Sequence, residues 1–157
     1  MTVPRPARTQ DSGPYEAASW WSVALLAACA FVFVLAELMP VGLIPLIASE
    51  FSVSEGAAGY VTVIYAWTVG PAAIVVTALT RRMDRRQLLL WIVAIFMLAN
   101  VGAAIAPSFL VLLATRALAA LAHGVFWSIV GPYAVRLVRE KNAPRAMAVA
   151  FSGISIA

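Results

Sequence analysis

From Phe109 to Tyr133 the chain reads FLVLLATRALAALAHGVFWSIVGPY. That apolar run is long enough to cross a bilayer, which takes roughly 20 residues. Inside it stand Arg116 and His123. An arginine near mid-bilayer costs about 2.5–3.5 kcal/mol on insertion scales, so it is expected to face a protein interior and find a partner there. Arg116 and His123 are seven residues apart, about 20° short of two helical turns, and Trp127 lies about 20° past three turns from Arg116. The three share one stripe, which predicts a helix turned towards the centre of a bundle.

The rest of the chain has the same character. Of its 157 residues 63% are hydrophobic and only 11% charged, with a mean hydropathy of +0.93. The apolar residues fall in long runs rather than at amphipathic spacing, which excludes a soluble domain and predicts membrane helices. Cys29 is the only cysteine, so no internal disulfide can form, and nothing pairs with it as a metal ligand. There is no second histidine, nucleophile elbow or phosphate loop, and hence no enzyme constellation, metal site or cofactor site. The net charge of +4 resides in short clusters between apolar runs, as topology determinants do, and not in a nucleic-acid-binding surface.

In chain order, residues 1–19 are polar and proline-containing, which predicts a disordered cytoplasmic tail. Leu26-Ala27-Ala28-Cys29 fits a lipoprotein cleavage box, but Phe31 to Leu35 carry the apolar run past the cysteine, so the segment reads as an anchor that is retained. A first helix is expected over about 20–47, with Trp20 and Trp21 at the interface and a kink from Pro40 and Pro45. A polar link over 48–58 leads to a second helix, about 59–79, bent at Gly70-Pro71. The arginine-rich segment 81–86 precedes a third helix, 88–106, in which Asn100 is the only strongly polar side chain. The fourth helix is expected at 109–135. A basic loop over 136–145 precedes a fifth apolar run, 146–157, only about 18 Å long as a helix. The expectation is therefore a fragment of a longer protein.

Eleven Lys and Arg residues are present. Apart from Arg116, all of them lie in the tail, in 81–86 or in 136–145, and none in 48–58 or at Pro107-Ser108. Ten against zero predicts a cytoplasmic amino terminus and alternating helices.

Glu37 stands twelve residues from Ser49 and Arg116 eight from Ser108, or about 18 Å and 12 Å from the same membrane edge. The two are expected within reach of one another, either as an ion pair that sets helix register or as a proton-coupling site. His123 is readable as a proton relay or as a neutral cavity liner, the latter because no nearby carboxylate is evident. Tyr65, Trp67 and Trp127 are candidates for stacking on a ligand, although aromatics in membrane helices more often serve packing. Gly42, Gly102, Gly124 and Gly131 permit close helix approach.

These residues carry a family resemblance. From about Ala36 onward the chain resembles the major facilitator superfamily, specifically its twelve-helix drug/proton antiporter group. Glu37-Leu38-Met39-Pro40-Val41-Gly42-Leu43 is similar to that group's first-helix motif, and LLATRALAALAHG, Leu112 to Gly124, to its fourth-helix motif centred on Arg116. YAWTV, AHGVFWSI and APRAMAVAFSGISIA are most similar to bacterial sugar efflux and purine ribonucleoside efflux transporters. The loop pattern G-x-L-x-D-R-x-G-R-K aligns with Thr77 to Arg86: Leu79, Arg82, Arg85 and the basic end at Arg86 match. Its aspartate falls on Arg81, so the carboxylate latch is missing unless Asp84 supplies it from a shifted position.

The resemblance implies an all-α membrane protein, the N-terminal part of a two-halved transporter, with four transmembrane helices and the start of a fifth. It further implies a monomer, multi-pass in the cell inner membrane, that exports a small organic solute (sugar, nucleoside or drug-like) by proton antiport. The partners expected are that solute, protons and the lipid bilayer, with no nucleic acid. An importer on the same scaffold is the alternative, and a membrane enzyme or non-transporting subunit a weaker one.

Overall fold

The computed structural model describes residues 14–157, with side chains from Trp20 onward. The elements in order are α1 (Pro14–Glu50), the short α2 (Glu55–Ala58), α3 (Tyr60–Leu79), α4 (Arg85–Ala104), α5 (Phe109–Arg136), a 3₁₀ turn (Glu140–Asn142) and α6 (Ala143–Ile156). Every described element is helical. Among the described residues, four segments are long and apolar enough to span a bilayer: Trp20–Glu50, Glu55–Leu79, Arg85–Ala104 and Phe109–Arg136.

Several boundaries differ from expectation. Residues 1–13 of the expected tail lie outside the described residues, whereas 14–19 are helical and open α1 on Pro14, a residue whose fixed φ suits a first helical position. α1 runs unbroken through Pro40 and Pro45, and α3 through Pro71. Most of the expected basic loop, 136–145, is drawn into the end of α5, the 3₁₀ turn and the start of α6.

Local chemistry explains where the helices start. Ser54, Asp84 and Ser108 each accept a hydrogen bond from a backbone N–H of the following turn, so α2, α4 and α5 are all side-chain capped. Between α1 and α2 the chain reverses within residues 51–54, where Ser52 adopts a left-handed φ of 53°.

α5 is the hub. Half of its most apolar window is buried, against 17–28% for the other spans. It packs along α3 and α4 and touches α6, while α6 lies against α1. Two glycines make this possible. A Cβ on Gly124 of α5 would run into the Val69 carbonyl of α3, and one on Gly153 of α6 into the Ala27 carbonyl of α1. Backbones that close are the small-residue contacts by which helices associate in lipid.

Each outer helix buries one stripe. On α1 it is Val23, Leu26, Ala30 and Phe33, and on α4 Leu88, Ile92, Phe96 and Ala99, at spacings of three and four residues. The opposite faces expose Leu25, Ile74, Trp91, Leu98 and Leu110. In water such faces would aggregate; in a bilayer they are met by lipid or by other helices.

Candidate functional site

Polar groups converge where the stripes of α1, α3 and α5 meet. Arg116 is 3% exposed and His123 1%, both on the buried face of α5. Beneath them Phe33 is stacked between Phe96 at 3.8 Å and Phe126 at 4.3 Å, and presents an edge to the His123 ring at 5.3 Å. This aromatic floor keeps the polar cluster in a low-dielectric setting, where each hydrogen bond is strong and each unmet one costly.

His123 is engaged at both nitrogens. The Trp127 indole N–H donates to Nε2, and Nδ1 lies 2.6 Å from the Tyr65 hydroxyl. Because an indole N–H can only donate, Nε2 is an acceptor and the ring proton of a neutral imidazole sits on Nδ1, donating to Tyr65. Glu37 Oε2 is 3.8 Å from the same Nδ1, with its side chain 36% exposed. That is too long for a hydrogen bond, so the contact becomes an ion pair only when the imidazole is protonated.

Arg116 is held differently. Its guanidinium lies over the Tyr65 ring, 4.2 Å from the centroid, and its Nη1 donates to the backbone carbonyl of Ala36 at 3.0 Å. Nε and Nη2 are buried and have no hydrogen-bond partner among the described residues.

Glu37 and Arg116 lie near enough to interact electrostatically, as expected, while their closest contacts are to other groups. The carboxylate faces His123, and the arginine takes the carbonyl of the residue before it. Consecutive helical side chains diverge by about 100°, so a backbone oxygen and its neighbour's carboxylate need not point at the same partner. The carboxylate thought to be lacking beside His123 is Glu37 itself. Among the aromatics, Tyr65 and Trp127 belong to the cluster, while Trp67 is 79% exposed on the far side of α3. Trp127 also stacks on Phe151 of α6 at 5.7 Å, which links the cluster to that helix.

At the arginine-rich end, Asp84 Oδ1 accepts from the backbone N–H groups of Arg86 and Gln87, capping α4. Leu79, Arg82 and Arg86 are exposed, and Arg85 is half-buried. Arg81, Arg85, Arg86 and Arg136 line a cleft of about 370 Å³ with Tyr133. Among the described residues no group of His, Cys, Asp and Glu is arranged to hold a metal ion.

Ala36 was not foreseeable from the residue pattern, since a carbonyl acceptor has no side-chain signature. Phe33, one turn before Glu37 on the same helix, was detectable in principle from its spacing.

Comparison with known proteins matches residues 26–157 to the family described as Major Facilitator Superfamily. Over 132 residues, 84% of this chain, it is 40% identical to the "Uncharacterized MFS-type transporter YtbD" of Bacillus subtilis (strain 168), of which the match spans 33%. With the spanning helices and the α5-centred bundle, these matches identify an integral, multi-pass membrane protein, and the chain belongs to the major facilitator superfamily.

Proposed function

We propose that the chain is part of a transporter that exports a small organic solute (a sugar, nucleoside or drug-like compound) in exchange for protons, from a cell inner membrane with its amino terminus in the cytoplasm. The observation that carries the reading is Glu37, a partly exposed carboxylate 3.8 Å from a buried histidine inside otherwise apolar spans. Intramembrane ionisable groups are expensive to keep and mark ion or substrate pathways. The direction of transport rests on the resemblance to efflux transporters, and the orientation on the asymmetry of basic residues.

The geometry supports a coupling route. With Nδ1 already protonated and donating to Tyr65, an arriving proton can bind His123 only at Nε2. It must displace the Trp127 N–H, and the resulting imidazolium becomes an ion-pair partner for Glu37. One protonation thus breaks a contact within α5 and makes another between α5 and α1. The displaced indole is stacked on α6. Proton binding would in this way bias the relative positions of three helices, as alternating access requires.

The test is Glu37→Gln in the full-length protein, reconstituted in vesicles with the inserted amount quantified. Accumulation driven by a pH gradient should be lost, while solute counterflow survives. Intact proton-driven flux would remove Glu37 from the mechanism. Loss of both activities together with poor insertion would make the residue structural.

A further inference from the structure

The two buried nitrogens of Arg116 that have no hydrogen-bond partner among the described residues are Nε and Nη2. They form one edge of the guanidinium, with parallel N–H bonds of the kind that pair with both oxygens of a carboxylate. The other constraints are already in place: the Tyr65 ring lies against the guanidinium face, and the Ala36 carbonyl takes Nη1. A pre-oriented, desolvated fork of this kind is an incomplete site, because leaving charged donors unpaired in a protein interior is strongly unfavourable.

Arg116 also lines a cavity of about 330 Å³ that runs between α1, α4 and α5 to the arginine-free end of the bundle. Its walls are mainly apolar, including Leu43, Ile47, Phe51 and Leu112, with Asn100 as a further polar group. The Asn100 amide already donates to the Phe96 carbonyl. Glu50 stands at the opposite end, fourteen residues along α1 from Ala36, or about 21 Å by helical rise. It is too far away to neutralise the fork; the nearer Glu37 interacts with Arg116 electrostatically, but its carboxylate stands 3.8 Å from His123 Nδ1 and gives Nε and Nη2 no hydrogen bond. The volume lies at the lower end of the range for small-molecule pockets.

We propose that this cavity is a binding subsite for an amphiphilic carboxylate, with the acid head on the Nε and Nη2 edge of Arg116 and the apolar body along α1 and α4. The inference rests on the transport reading only for how such a solute is delivered. The subsite itself is defined by the orphaned fork and the apolar wall.

The probes are 4-phenylbutyrate, its neutral amide and 4-phenylbutylamine, titrated calorimetrically into the full-length protein in lipid nanodiscs, with protein-free discs as the blank. The acid should bind at least about tenfold more tightly than the amide, and the amine not at all, since only the acid supplies two charged acceptors. Arg116→Lys keeps the charge but loses the fork, and should weaken the acid by about tenfold or more. Should that variant fail to fold, Ala103→Phe decides, because it plugs the cavity and leaves Arg116 intact; it should abolish acid binding.

Equal binding of acid and amide, no binding of the acid, or acid binding insensitive to both substitutions overturns the subsite. Selective acid binding without movement of the acid across vesicle membranes would leave the subsite standing and count against transport. Proton-coupled transport of other solutes, with no acid selectivity, would do the reverse.

Discussion

Gly124→Ala tests whether the site depends on the close approach of α5 to α3. An added Cβ would overlap the Val69 carbonyl oxygen, lie 2.9 Å from the Ala73 nitrogen and 3.0 Å from the Ala72 Cβ. The first two neighbours are backbone atoms of a helix, so no side chain can swing aside, and α3 must retreat by roughly 1 Å to restore van der Waals distance. Overpacking of this kind costs about 1–3 kcal/mol. The same retreat would stretch the Tyr65–His123 hydrogen bond, now 2.6 Å, beyond useful length. Gly70→Ala is the matched control, because it lies on α3 beside Val69 but a Cβ there meets nothing within 4 Å. That variant should gain about 0.5–1 kcal/mol from reduced backbone freedom. Thermal or denaturant unfolding of both variants in the same detergent is the assay, with tyrosine and histidine NMR signals reporting the hydrogen bond. If Gly124→Ala is as stable as Gly70→Ala, and the Tyr65–His123 signals are unmoved, the argument from backbone contact fails.

Other outcomes follow from single contacts. In the full-length protein, a cysteine at Ser54 should react with an impermeant reagent from outside the cell and one at Gln87 should not; the reverse would overturn the orientation read from the basic residues. Asp84→Ala should destabilise by about 0.5–2 kcal/mol through loss of the α4 cap, whereas Asp84→Ser should retain most of the stability. ¹⁵N-histidine spectra should show His123 as the Nδ1–H tautomer. Trp127→Phe, which removes the indole donor, should admit the Nε2–H form, and a wild-type Nε2–H signal would refute the assignment.

Much of the architecture was legible along the chain because a bilayer imposes one-dimensional rules. Each span must be a helix of about 20 apolar residues, since no water is present to satisfy exposed backbone groups. The apolar runs within the spans that end at Leu79 and Arg136 are therefore visible in the composition. The stripe joining Arg116, His123 and Trp127 was readable for a similar reason: all three belong to one helix, and its pitch sets their angles. Capping and proline effects are local but compete with neighbours, which is why α1 reaches back to Pro14 and continues through Pro40 and Pro45.

Partner choice was decided only by the tertiary structure. Depth arithmetic could bring Glu37 and Arg116 to similar levels, but the rotation of α1 about its own axis aims the Ala36 carbonyl at Arg116 and the Glu37 carboxylate at His123. That rotation is set by packing along α1, among it Phe33 between Phe96 and Phe126 in the floor of the site and, further along the helix, Gly153 against Ala27. The orphaned edge of Arg116 and the cavity beside it arise in the same way, from how α1, α3, α4 and α5 come together around it. A linear sequence specifies which groups enter the membrane; which of them touch depends on how several helices rotate and close together, a property of the assembled bundle.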